Sequence, residues 1–226
     1  MHGWRGAARA RLVATHPAEP WRYDRPWDPG GASDETGAEA RRAVAQAIAA
    51  AAFLLPFHAL SALEPEGFPV LALAAFDLVP VLLLGRSAHL RLRRRKYGAS
   101  RLHFERFPYF LGEPFAATLV LGQRAPLVRA LEVTLSCEER RPPEPEAGDP
   151  ARHGFTEVEL YRATEVTRGA RELPVRFELP AGTRPLGTDL TGPAPRRWWL
   201  RVRGKARGID YAAAFLVPIY ARPGDG

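Results

Sequence analysis

Six histidines, one cysteine and one aspartate in an apolar stretch are the residues of this chain whose types could do chemistry. A metal site on a helix needs two ligands at i and i+3 or i+4, so that both side chains reach one ion. His2, His16, His58, His89, His103 and His153 never pair at that spacing. No HExxH, CxxC or phosphate-binding glycine loop is present. Cys137 with a distant histidine would make a nucleophile pair. It falls, however, on the apolar side of an alternating run, where a free cysteine is usually a small buried hydrophobe. Glu132, Glu138 and Glu139 sit on or beside that run, and nothing marks two of them as an acid and a base. The expectation is no catalytic residue, no metal, no cofactor and no enzyme activity. One cysteine also precludes a disulfide within the chain, which suits a reducing compartment.

Asp77 and His58 gain meaning from where they stand. Residues 43–63 and 68–85 are two apolar stretches separated only by Glu64, Pro65, Glu66 and Gly67. A bilayer core takes roughly 20 apolar residues as helix, and both stretches fit. The competing reading is a pair of core helices in a soluble protein. The matched lengths and the charges around them favour a membrane hairpin. The short connection makes the two helices antiparallel neighbours. His58 then lies about 7 residues from the turn and Asp77 about 11, an offset of one helical turn at ~1.5 Å per residue. An ionisable group at membrane depth is costly and asks for a partner. Two roles compete for Asp77. It pairs with His58, or it faces another subunit or a water pocket and orders the packing. The second is favoured, because a proton or ion path needs more polar steps than two short helices supply. Ala49, Ala50, Ala51 and Ala52 are the small residues expected to let the helices approach closely.

The charges give an orientation. Arg41 and Arg42 precede the first stretch, and Arg86, Arg91, Arg93, Arg94, Arg95 and Lys96 follow the second. The connection is acidic. The positive-inside rule puts both flanks and both termini in the cytoplasm. The cluster Arg91, Arg93, Arg94, Arg95 and Lys96 serves as a topology signal. It would also bind anionic head groups, at about 1 kcal/mol per basic residue near the surface. Trp21, Tyr23 and Trp27 lie before the first helix, either as interfacial anchors or folded back onto the soluble part. The net charge of +7 is concentrated beside the apolar stretches, so nucleic acid is not the expected partner. The first residues lack the apolar core of a secretory signal, and they share only an Arg-rich, acid-poor character with transit peptides.

From residue 98 the pattern changes to short runs of period two. Leu131, Val133, Leu135 and Cys137 alternate with polar neighbours, as do Leu173, Val175, Phe177 and Leu179, and Trp198, Leu200 and Val202. Residues 140–154 and 180–195 read as loops. About seven strands with no helix between them predict an antiparallel β-sandwich. Pro218 interrupts the last strand and marks an edge open to a partner strand. The predicted domains are a juxtamembrane segment 1–40, a transmembrane hairpin with basic tail 41–97, and a cytoplasmic sandwich 98–226 that folds alone from about Ser100.

Phe177, Leu179 and Pro180, then Trp198 and Leu200, then Gly208, Asp210 and Tyr211, then Phe215, Val217 and Pro218 form a series that resembles the arrestin-like sandwich. The stretch LEVTLSCEER resembles that family's strand ending in cysteine. Pro17, Pro20 and Trp21, two helices, and an Arg-rich tail ending in Tyr97, Gly98 and Ser100 are similar to bacterial two-helix membrane proteins carrying such a sandwich. The resemblance runs from residue 15 to the end. It implies a multi-pass protein of the bacterial inner membrane, with membrane lipids and a protein as partners. By fold analogy it implies an adaptor or scaffold role; the alternative, with Asp77 facing a neighbouring helix, is an accessory subunit of a larger complex. Asp77 departs from the pattern, where an apolar residue is expected, and the loop at 140–154 is peculiar to this chain.

Overall fold

The computed structural model describes residues 11–63, 70–124, 128–141, 155–168, 170–181, 186–192 and 194–222. The acidic connection, Pro69, His2, His153 and most of the 140–154 loop lie outside these residues. The chain divides into two units, 35–98 and the combination of 1–34 with 99–226.

The helical unit is a hairpin. Helix α1 spans Thr36–Leu63 and α2 spans Val70–Tyr97, 28 residues each. At ~1.5 Å per residue each is about 42 Å long, more than a hydrocarbon core requires. Their seam follows a heptad. On α1, Ala40, Ala43, Ala47 and Leu54 are buried; on α2, Leu73, Ser87, Leu90 and Tyr97. Spacings of three, four and seven keep one stripe facing the partner. The small residues that bring the helices together are therefore Ala40, Ala43 and Ala47. The expected Ala49, Ala51 and Ala52 fall off the stripe and are exposed. Close approach lets the Ser87 hydroxyl donate to the Ala40 carbonyl at 3.0 Å in a buried setting. Pro56 and Pro80 lie inside the helices. Gly98, at φ 85°, ends α2, its N–H bonding the Arg94 carbonyl at 2.8 Å. This is the left-handed residue that commonly closes a helix.

The second unit is an antiparallel two-sheet sandwich. One sheet runs β1(Gly31–Ser33)–β2(Arg101–Phe104)–β4(Pro114–Val120)–β7(Glu172–Glu178). The other runs β6(Thr156–Arg168)–β5(Ala130–Arg141)–β8(Arg196–Gly204)–β9(Tyr211–Val217). A small parallel pair joins β3(Tyr109–Phe110) to β10(Ile219–Tyr220). Strict alternation in β4 and β7 turns Phe115, Ala117, Leu119, Leu173, Val175 and Phe177 inward. From the facing sheet Leu131, Leu135, Trp198, Leu200, Val202 and Phe215 meet them with no exposed surface. Each such side chain contributes about 1.5–3 kcal/mol on burial, and this core holds the sheets together.

Two expectations change here. The segment before the helices does not stand apart as 1–40, and the sandwich is not confined to 98–226. β1 pairs antiparallel with β2, Gly31 facing His103 and Ser33 facing Arg101. The approach is so close that a Cβ at Gly31 would lie 2.0 Å from the Leu102 carbonyl oxygen. The chain leaves this unit at Asp34 and returns at Ser100, and those points are joined: the Asp34 N–H donates to the Ser100 carbonyl at 3.3 Å. The Asp34 carboxylate accepts from the Ala214 N–H at 3.1 Å. The hydroxyls of Ser100 and Tyr211 lie 2.8 Å apart, and the Gly122 N–H donates to Ser100 Oγ at 3.0 Å. The second change concerns Pro218. Its missing N–H splits the last strand, but the break is not an open edge. The Tyr109 N–H donates to the Pro218 carbonyl at 3.0 Å, Thr188 N–H to Ile219 at 2.7 Å and Leu111 N–H to Tyr220 at 2.9 Å.

Candidate functional site

The polar groups on the hairpin meet. His58 Nε2 lies 2.9 Å from Asp77 Oδ1, a hydrogen bond that becomes an ion pair when the imidazole is protonated. Asp77 sits one turn along the seam from Leu73, and His58 one turn from Leu54, so each is carried to the helix–helix boundary by its heptad position. The pair is only partly covered. The side chains keep 46% and 44% of their exposure. Of the two roles expected for Asp77, the structure makes the pairing and leaves an open side.

The basic end of the hairpin is not a uniform patch. Arg91 and Arg95 are exposed and Arg93 is half-buried. Arg94 lies across the first turn of α1, its guanidinium filling the space a side chain at Gly37 would take. The Lys96 ammonium sits 4.8 Å from the centre of the Tyr97 ring. Arg86 approaches Glu39 at 3.8 Å and Arg42 approaches Glu35 at 4.0 Å. These are weak surface pairs that leave most of the charge available.

Two of the three aromatic residues, Trp21 and Trp27, take the second of their expected places, while the Tyr23 hydroxyl bonds locally to the Pro17 carbonyl. Trp21 makes edge contacts with Phe110 and Tyr220, ring centres 5.6 and 5.7 Å apart. The Trp27 indole N–H donates to the Tyr220 hydroxyl at 2.9 Å. The Pro20–Arg22 turn presents Trp21 there, with Tyr23 closing it through its N–H to the Pro20 carbonyl. Burial pushes the Tyr220 hydroxyl well above its usual range, partly opposed by the bond from Trp27. These side chains fasten the N-terminal segment to the sandwich.

Cys137 is fully buried, with Sγ 3.5 Å from the Leu186 carbonyl. Burial raises its thiol to about 12, so it carries no thiolate at neutral pH. Two polar features were missed from sequence. Ser87 stitches the hairpin; its place on the heptad stripe was a readable signal. Arg201 grips Glu138 with two bonds, 2.5 and 2.9 Å, and reaches the buried Ser136 hydroxyl at 2.8 Å. All three point to one face of neighbouring strands, as Ser136 faces Trp199 and Thr134 faces Arg201 in the ladder. The cluster is internally satisfied and ties the neighbouring strands together on that face of the sheet.

No protein-family model matches the chain, and no curated protein matches it. Among solved structures it is similar to Spo0M, a sporulation control protein from Bacillus subtilis, with 14% identity and a TM-score of 0.32. The match covers 54% of this chain and 49% of that one, so the chain spans about half the length of that structure. The class stated here, a helical hairpin with an antiparallel β-sandwich, stands on the strand pairing and burial above.

Proposed function

We propose that the chain is a non-catalytic, membrane-anchored binding module of the arrestin-like type, holding its sandwich at the cytoplasmic face of a bacterial inner membrane. The observation that supports it most is the state of the two helices. Both are long and apolar enough to cross a membrane, yet only 17% of the apolar window of each is buried. Core helices of a soluble protein would be covered; Phe53, Leu55, Phe76, Val81 and Leu82 are instead more than half exposed. A lipid environment satisfies such surfaces without a protein partner. The bonded points Asp34 and Ser100 agree with a hairpin whose two ends lie on one side of the membrane. The Arg91 to Lys96 cluster marks that side as cytoplasmic and meets anionic head groups there. The sandwich then presents a sheet face to a protein partner.

The half-open His58–Asp77 pair favours a second reading, an accessory subunit whose neighbour covers that pair. Purification of the full chain in mild detergent separates the two. An isolated monomer or homodimer supports the module; a stoichiometric complex with another membrane protein, lost on Asp77→Leu, supports the subunit.

A further inference from the structure

The end of the sandwich from which the helices depart is basic, and six of its cations make no ion pair with a described residue. Asp34, Ser100 and Tyr211 define that end. The strand registers place Arg101 there, opposite Ser33 and Val120. Arg168 lies there opposite Ala130, and Arg203 opposite Glu132. Arg129 and Arg171 flank β5 and β7 at the same end, and Lys205 follows β8. All six are exposed, and none makes an ion pair with a described residue. The carboxylates nearby are Asp34, Glu132, Glu172 and Asp210; Asp34 accepts from the Ala214 N–H at 3.1 Å and Asp210 from the Ala206 N–H at 2.9 Å. The opposite end differs. There Arg106 and Arg222 share Glu113, Arg141 meets Glu139 and Arg176 meets Glu178. Arg140 and Arg197 at that opposite end also lack an ion pair with a described residue, but the six at the end joined to the apolar helices outnumber them.

A groove opens at this end, of about 590 Å3, lined by Arg129, Arg203 and Lys205, by the carboxylates Glu132 and Asp210, and by Ala130, Val166 and Ala212 among others. Its volume is in the range that holds a small ligand. Three cations against two carboxylates, one of them already bonded to the Ala206 N–H, leave the groove net positive over a partly apolar floor, which suits a phosphate ester carrying a short polar or apolar arm. We infer that this end of the sandwich docks on the bilayer by binding the head groups of anionic phospholipid, with one head group seated in the Arg129–Arg203–Lys205 groove. The inference rests on the membrane-spanning reading. It concerns other residues than the helix-end cluster, and it gives the sandwich a second hold on the bilayer. Two such holds multiply through effective concentration, so modest attraction at the groove suffices.

The test uses the full chain in vesicles of phosphatidylcholine, and of phosphatidylcholine with about one-third phosphatidylglycerol. Each holds a trace of lipid with a nitroxide on its head group. A fluorophore is attached at Ala130→Cys beside the groove; buried Cys137 stays unlabelled. A label at Ala181→Cys, beyond the far end of β7, is the control. Quenching at position 130 is expected to rise at least about twofold with phosphatidylglycerol, to fall back at high salt, and to stay unchanged at position 181. The rise should be lost in Arg129→Gln/Arg203→Gln/Lys205→Gln and be intermediate in Lys205→Gln, which guards against a triple variant that misfolds. Equal quenching in both vesicles, an undiminished rise in both charge variants, or an equal rise at position 181 overturns the inference. An alkaline carbonate wash separates the failures. Protein that washes off refutes the membrane-spanning reading; protein that stays without a rise refutes the groove alone.

Discussion

At the residue scale the bond that joins two ionisable side chains of the hairpin is that between His58 and Asp77. Hydrogen bonds between membrane helices are worth about 0.6–2 kcal/mol, because the separated helices find other partners. Asp77→Leu is expected to lower thermal stability in detergent by about 1 kcal/mol, and Asp77→Asn by less, since the amide keeps a hydrogen-bonding group of the same shape. Joining His58→Leu to Asp77→Leu should recover part of the loss, as removing both partners leaves no orphan. Additive losses in the double variant would show that the two side chains do not act together. Cys137 gives a pH signature. Its thiol rises from 9.0 to about 12 in the fold, so the folded state favours the protonated form. That contribution is full below pH about 9 and declines as pH climbs towards 12, by roughly 1 kcal/mol per unit, because the unfolded chain ionises first. The wild-type melting temperature should therefore fall more between pH 8 and pH 10 than that of Cys137→Ala; equal falls would place the alkaline sensitivity elsewhere, for instance on buried Tyr220.

At the element scale the sandwich depends on a strand made before the helices. A truncated chain beginning at Ser100 lacks β1 and the Trp21 and Trp27 contacts on Tyr220, so it is expected to melt without cooperativity. A chain in which 35–98 is replaced by a short flexible linker should melt cooperatively, since Asp34 and Ser100 are already bonded. Circular dichroism of the two proteins decides; equal cooperativity would make the N-terminal segment dispensable. The same elements show what sequence conveys and what it does not. The strands at Leu131, Val175 and Trp198 were readable because each hides a full alternating face. The His58–Asp77 contact was only half legible: counting from the short connection brought the two within about one helical turn, yet the favoured reading had Asp77 facing another subunit or a water pocket. β1 and β3 have three and two residues, too few to alternate visibly. β1 also finds its partner only across the whole hairpin. Trp21 and Trp27 suit an interface and a protein surface equally, as amphipathic rings do. Pro218 correctly marked a break, but covering that edge needed β3 and the Thr188 backbone, which local pattern does not encode.

At the scale of the whole molecule, basic groups lie at both places where the polypeptide would meet a membrane surface. Reporter fusions at the C-terminus should give a fluorescent cytoplasmic reporter and an inactive alkaline phosphatase. Active phosphatase there would invert the topology. Replacing Arg91, Arg93, Arg94, Arg95 and Lys96 by glutamine should produce molecules of mixed orientation, visible as partial phosphatase activity, because the positive-inside bias would then rest on Arg41, Arg42 and Arg86 alone. A variant that keeps a single orientation would mean that the sandwich itself holds the hairpin in place.

The bond between Asp34 and Ser100 also sets an order of events during synthesis. β1 leaves the ribosome first and waits while the hairpin is made, on the order of several seconds at about 5–20 residues per second. Its partner β2 emerges only afterwards. If one helix crosses the bilayer and the other fails, the two strands end on opposite sides and the sheet cannot close. On the membrane-spanning reading, closure of the first sheet would act as a proofreading step on insertion. A half-inserted chain is left with an unpaired β2 edge and an uncovered Tyr220, open to proteolysis, while a correctly threaded one seals itself.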